Sequence, residues 1–169
     1  VPEKRLIQFP TETGFASADL YVPKESGKHG GVLFFMGVVP PDSNEERIVA
    51  LAEGLARSGL VVMIPWLETQ HKNQLVVKDI DDLVRAFEYL RSMEIVNPNN
   101  VGMGGICTGA SMVMIAAQDS RISNDVKYIN SFAGYYDALD MVRAVSSRSR
   151  FYGEQTYPWI PDKLTLELF

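Results

Sequence analysis

The sequence is poor in the features that mark several large classes of protein. It has a single cysteine, so it cannot form an internal disulfide, and a cytoplasmic location is expected. One cysteine and two scattered histidines give no chelating pattern, so we expect neither a metal nor another cofactor. Acidic residues outnumber basic residues by 21 to 16 and no basic block occurs, which argues against a nucleic-acid partner.

Long apolar runs are absent as well. The two longest, Gly30–Val39 and Gly59–Leu67, have about half of the roughly 20 residues that a membrane-spanning helix needs. Three of the first five residues, Glu3, Lys4 and Arg5, are charged, and no apolar core of the signal-peptide type follows them. No membrane partner is therefore expected, and the two runs predict buried strands.

The sequence has 169 residues, of which 46% are hydrophobic. This length and composition are typical of one ordinary domain. An antiparallel hairpin is predicted around Thr13-Gly14, from strands at Leu6–Phe9 and Ala16–Val22. After it, apolar strands alternate with segments of helical period. Strands are predicted at Gly31–Met36, Leu60–Pro65, Val101–Gly105 and Lys127–Ala133. This order predicts an α/β fold with a mostly parallel sheet, helices on both faces and an N-terminal antiparallel hairpin.

Local patterns give finer expectations. In the second strand, Asp19 and Tyr21 alternate with apolar residues, which predicts one buried and one open face. Ser43 and Glu46 have the spacing of a capping box at the start of a helix. Asp82 is expected on the polar side of the following long helix. The regular periods end near Gly134, so we predict a core over residues 1–137 and a cap-like or connecting segment over residues 138–169.

One motif carries chemistry. Gly105, Cys107 and Gly109 form G-x-C-x-G between a predicted strand and a predicted helix, which is the context of a nucleophile elbow. The sharp turn forces a strained backbone at the central residue, and glycines two residues away remove the Cβ atoms that would collide there. The alternative is an ordinary buried cysteine, since free cysteine is often buried.

An elbow would place the Cys107 sulfur at a helix N-terminus, where the free N–H groups and the helix dipole favour the thiolate, the nucleophilic form. The backbone N–H of Thr108 points the same way and is one candidate oxyanion donor. The second donor in such folds comes from the loop after the third strand, so the N–H of Val38 is the other candidate.

The order of several further motifs resembles the dienelactone hydrolase (carboxymethylenebutenolidase) family of α/β-hydrolases over about residues 5 to 137. The matching stretches are Leu55–Pro65, Ala86–Arg91, Asn97–Gly102, the elbow Gly105–Gly109 and Gly134-Tyr135-Tyr136. The resemblance implies an esterase-type hydrolase that acts on a small-molecule ester or lactone, with Cys107 as nucleophile and no cofactor.

No histidine follows Cys107, although α/β-hydrolases take nucleophile, acid and histidine in that chain order. His29 is expected at the far end of the sheet, His71 is interpreted as a solvated loop residue, and Asp137 as a polar loop residue or helix cap. The sheet is therefore expected to lack its C-terminal strands, with the acid and the base. The chain continues, or a second copy or partner chain covers the C-terminal segment and supplies the base, or the protein is not a competent hydrolase.

Two other functions stay open. The elbow Gly105–Ala110 also resembles that of a class I glutamine amidotransferase-like domain. The absent base equally allows a non-catalytic, hydrolase-like protein used for binding or assembly.

Overall fold

The computed structural model describes residues 1–37, 44–72, 74, 76–135 and 137–168. They fall into two compact units, Val1–Gly134 and Tyr135–Phe169. The first unit contains β1 (Glu3–Thr11), β2 (Gly14–Val22), β3 (His29–Phe35), α1 (Glu46–Arg57), β4 (Leu60–Trp66), α2 (Glu68–His71), α3 (Lys78–Ser92), β5 (Val96–Ile106), α4 (Thr108–Ala116) and β6 (Val126–Phe132).

The six strands form one sheet in the order β1-β2-β4-β3-β5-β6. β1 and β2 pair antiparallel as the predicted hairpin, and β2 joins the sheet by antiparallel pairing with β4. β4, β3, β5 and β6 are all parallel neighbours. The mostly parallel sheet with an N-terminal antiparallel hairpin is thus confirmed. Its parallel strands end at a common edge, where the connections that follow β3, β4 and β5 lie side by side.

Helices cover both faces of the sheet, as predicted. α1 packs Ile48 and Ala52 against one face, together with Val62 and Ile64 of β4. α3 and α4 cover the other face and build the larger core, in which Phe87 is fully buried. Complete burial of one such side chain stabilises the fold by roughly 1.5–3 kcal/mol. The two packed layers fix the strands and therefore the edge at which they end.

Three local expectations were wrong. Asp19 and Tyr21 of β2 are buried, because β2 lies inside the sheet and α1 contributes to covering its second face. The residue that precedes α1 is Glu45, which makes no side-chain capping bond, and Ser43 lies outside the described residues. Asp82 is only 7% exposed, because α3 turns it toward the β1–β2 hairpin, where it accepts a hydrogen bond from the N–H of Glu12.

The second unit contains α5 (Ala138–Ser147), the hairpin of β7 (Ser149–Tyr152) and β8 (Gln155–Pro158), and α6 (Lys163–Leu168). Asp137 caps α5 by accepting hydrogen bonds from the N–H groups of Leu139 and Asp140. Arginine side chains stack on aromatic rings, Arg143 on Phe151 and Arg150 on Trp159. Whether this unit acts as a cap or a connection stays a prediction.

Among the helices of the described residues, none has both the length and the apolar character needed to cross a bilayer.

Candidate functional site

The candidate site lies at the carboxyl edge of the parallel strands. β3 lies between β4 and β5 in the sheet, so Met36 and Gly37, which follow β3 directly, are flanked by the connections that follow its two neighbours. Gly37 follows β3, the single turn α2 follows β4, and Cys107 follows β5. Ligands and catalytic groups of open α/β sheets characteristically lie outside this edge.

Cys107 joins β5 directly to α4 and has a rarely populated backbone conformation. Its φ is 56° and its ψ is −132°, in a residue that is not glycine. Its N–H donates to the carbonyl of Phe132 on β6 at 3.0 Å, which extends the sheet ladder into the turn, and its own carbonyl accepts from the N–H of Ala110. Such strain costs on the order of 1–3 kcal/mol and persists only where its surroundings impose it. The turn exposes the Cys107 side chain instead of burying it.

The glycines on either side of Cys107 allow the strand end and the first helical turn to touch. A Cβ at Gly105 would lie 2.7 Å from the backbone of Gly109 and from the N of Ala110. A Cβ at Gly109 would lie 2.5 Å from the carbonyl oxygen of Phe35 and 2.6 Å from the N of Gly37. Real Cβ atoms are not found this close to backbone atoms, so both positions need glycine. The collisions expected from the G-x-C-x-G spacing are therefore present in the folded chain.

Gly37, directly after β3, lies against the elbow. Its φ is +83°, in the left-handed region that favours glycine. A Cβ at this position would lie 2.7 Å from Oγ1 of Thr108 and 2.9 Å from the N of Gly109, so a side chain would push the loop away from α4. On its other side, the carbonyl of Gly37 accepts a hydrogen bond of 2.7 Å from Nε2 of Gln70.

Gln70 is a residue of this region that the sequence patterns do not reveal. Its side chain is fully buried, and its Oε1 accepts a 2.8 Å hydrogen bond from the N–H of Leu67. The only available signal is its position three residues after Leu67, the spacing at which a glutamine closes a capping box. The spacing is not recognisable from the sequence, because the cap position holds a leucine instead of Ser or Thr and the neighbours Glu68 and Thr69 are also polar.

The structure places the other predicted residues as follows. Thr108 begins α4 beside the nucleophile candidate, as expected, while Val38 lies outside the described residues. His29 begins β3 at the opposite end of the sheet, where its Nε2 lies 2.9 Å from the carbonyl oxygen of Glu25. His71 ends α2 at the carboxyl edge and is exposed. No hydrogen bond joins His71 to Cys107 among the described contacts.

A cleft of about 400 Å³ lies beside α2, between the hairpin and the start of α3. His71, Lys78, Asp79 and Asp82 line it, and Cys107 does not. Burial raises the pKa of Asp82 above its ordinary value. Each oxygen of Asp79 accepts one hydrogen bond, from the hydroxyl of Thr69 and from the N–H of Val76.

No group of three or more His, Cys, Asp or Glu side chains is arranged to hold a metal ion within the described part of the chain. The chemistry that the described arrangement allows is nucleophilic, because the exposed Cys107 lies at a helix N-terminus beside Gly37.

Neither a family model nor a curated protein sequence matches the chain. Solved structures do match it. An esterase from Pyrobaculum calidifontis is 17% identical, with a TM-score of 0.69 over 98% of this chain and 55% of its own. A thermostable carboxylesterase cloned from a metagenomic library gives the same identity and TM-score over 98% and 57%.

A putative dienelactone hydrolase from Klebsiella pneumoniae is 15% identical, with a TM-score of 0.66 over 82% of this chain and 62% of its own. The chain therefore spans about half to three fifths of the length of these structures. At such low identity the likeness concerns the fold, and the chain has the fold of the α/β-hydrolases.

Proposed function

We propose that the chain carries the nucleophile of a hydrolase of the dienelactone hydrolase type, in which the Cys107 thiolate attacks the carbonyl of a small ester or lactone. The observation that supports this most strongly is the backbone of Cys107, which is strained, exposed and fixed between β5 and α4. Strain of this kind is concentrated at functional sites. The esterases and the dienelactone hydrolase-like protein among the matching structures agree with the reaction class.

The proposed reaction has two halves. The sulfur of Cys107 bonds to the carbonyl carbon, and the developing oxyanion is met by the backbone N–H of Thr108 and of Val38. The bond to the leaving alkoxide then breaks, the alkoxide takes a proton, and a thioester remains on the protein. Water attacks the thioester in the second half and releases the acid.

The two halves differ in their need for a base. A thiolate attacks without one, but activation of water and protonation of the leaving group are poor without a positioned acid or base. The described residues bring no histidine into hydrogen bond with Cys107. We therefore expect this chain to be acylated faster than it is deacylated.

Burst kinetics test the proposal. Purified chain mixed with p-nitrophenyl butyrate should release about one equivalent of p-nitrophenol per chain quickly and then turn over slowly. Cys107→Ala should abolish the burst without altering the far-UV circular dichroism spectrum. A wild-type chain that shows no burst, or a burst that survives Cys107→Ala, would refute the proposed nucleophile. Release of ammonia from glutamine tests the amidotransferase-like alternative. A chain that reacts with neither substrate supports the binding or assembly role.

A further inference from the structure

The structure assigns Gln70 the role of a positioning residue that fixes the carbonyl of Gly37, at the start of the loop to which the proposed function gives the second oxyanion donor. This inference rests on the proposed function and adds to it. Gln70 belongs to the single helical turn after β4, whereas the peptide group it would orient follows β3, 33 residues earlier.

The two hydrogen bonds of Gln70 determine which way its amide points. The N–H of Leu67 is a donor only, so the atom 2.8 Å from it must be the oxygen, Oε1. The carbonyl of Gly37 is an acceptor only, so the atom 2.7 Å from it must be the nitrogen, Nε2. A flipped amide would lose both bonds. Because the side chain is fully buried, no water replaces them.

Fixing the Gly37 carbonyl also fixes the N–H of the same peptide group. A trans peptide is planar, and its C=O and N–H point in opposite directions. Gln70 holds the carbonyl toward α2, and this hydrogen bond restrains the peptide group through which the proposed donor would be presented. On the elbow side, Gly37 lies so close to Thr108 and Gly109 that a side chain would not fit there.

Glycine makes this restraint necessary. A glycine adopts left-handed and right-handed conformations with similar ease, so the peptide after Gly37 is free to rotate unless something holds it. An oxyanion donor lowers the barrier most when it is oriented before the reaction begins. Gln70 supplies that orientation from outside the loop, through its hydrogen bonds to the backbone of Leu67 and Gly37.

The test compares two reactions of the same sulfur. Acyl transfer from p-nitrophenyl butyrate passes through an oxyanion, whereas alkylation by iodoacetamide does not. Loss of a single oxyanion donor costs about 100- to 1000-fold in rate, and a donor that is misdirected part of the time should cost about 10- to 100-fold. Gln70→Met keeps the size of the side chain and removes both hydrogen bonds. We expect it to lower the acylation rate by this factor and to leave the alkylation rate within about twofold.

Gln118→Met is the matched control, because the exposed Gln118 also donates its amide to a backbone carbonyl, that of Met114. It should leave the ratio of acylation to alkylation unchanged. A merely structural role for Gln70 would slow both reactions of Cys107 together, or would unfold the chain. An unchanged ratio in a folded Gln70→Met variant would overturn the inference.

Gln70→Glu gives a second test that does not depend on Gln70→Met folding. The introduced carboxyl still accepts from the Leu67 N–H, but it donates to the Gly37 carbonyl only when protonated. The ratio of acylation to alkylation should therefore be low at about pH 8 and rise toward the wild-type ratio near about pH 5. A ratio that stays at one value across this range would contradict the inference. An inert wild-type chain would instead refute the proposed function, and this inference with it.

Discussion

Replacing Gly109 by alanine tests the packing that forms the elbow. The new Cβ would lie 2.5 Å from the carbonyl oxygen of Phe35, 2.6 Å from the N of Gly37 and 3.1 Å from its Cα. All three atoms belong to the backbone, so no flexible side chain can move aside. Either the loop after β3 or the start of α4 has to shift.

The expected magnitude follows from two opposing effects. Alanine in place of glycine inside a helix stabilises it by roughly 0.5–1 kcal/mol. Overpacking against a fixed backbone costs typically about 1–3 kcal/mol. Gly54 supplies the matched control, since it lies within α1 and a Cβ there meets nothing within 4 Å. Gly54→Ala should therefore gain stability, and Gly109→Ala should lose it.

Urea denaturation followed by circular dichroism measures both variants. The helical gain applies to both variants and cancels, so we expect the free energies of unfolding of Gly109→Ala and Gly54→Ala to differ by about 1–3 kcal/mol, the first below the wild type and the second above it. The acylation burst should also fall in Gly109→Ala, because the clash displaces the loop at Gly37. Equal stabilities for the two variants would show that α4 does not approach the loop as closely as described.

Three further predictions concern charges and caps. Burial raises the pKa of Asp82 in the folded chain. The free-energy cost of ionising this buried carboxyl is therefore absent below its unfolded pKa and grows as the pH rises to the folded pKa. Asp82→Asn should therefore equal the wild type in stability near about pH 3 and exceed it at neutral pH, measured by denaturation at each pH. Hydrogen bonds from Arg121 hold the pKa of Asp119 at about 2, below its ordinary value. This stabilisation is complete above the unfolded pKa and is lost as the pH falls through about 2. Asp119→Asn should therefore be less stable than the wild type only above about pH 2. A difference in stability that persists in strong acid would contradict the pairing of Asp119 with Arg121. Asp137→Ala should destabilise α5 by about 1 kcal/mol, seen as faster amide hydrogen exchange in that helix, and unchanged exchange would contradict the cap.

The features predicted correctly from the sequence are local ones. The elbow is encoded within a few residues, since a strand, Gly105, Cys107, Gly109 and a helix follow one another directly. The alternation of strands and helices likewise sets the class of the sheet, because parallel strands require helical crossovers. Neither inference needs knowledge of distant contacts.

The features that were missed depend on contacts between distant segments. Gln70 is buried because Gly37, 33 residues away, supplies the carbonyl that its amide binds. Tyr21 is buried because the later helix α1 covers its face of the sheet. Asp82 is turned inward by the hairpin at Glu12. Alternation and helical period report one element at a time, so they cannot reveal which second element covers a polar side chain.

The site of acylation tests most directly whether Cys107 is the nucleophile. The chain is mixed with p-nitrophenyl butyrate, quenched in acid during the burst, digested and analysed by mass spectrometry. If Cys107 is the nucleophile, we expect one butyryl group per chain, carried by the peptide that contains Cys107 and absent from Cys107→Ala. Release of p-nitrophenol with Cys107 unmodified, or with the butyryl group on another residue, would contradict it.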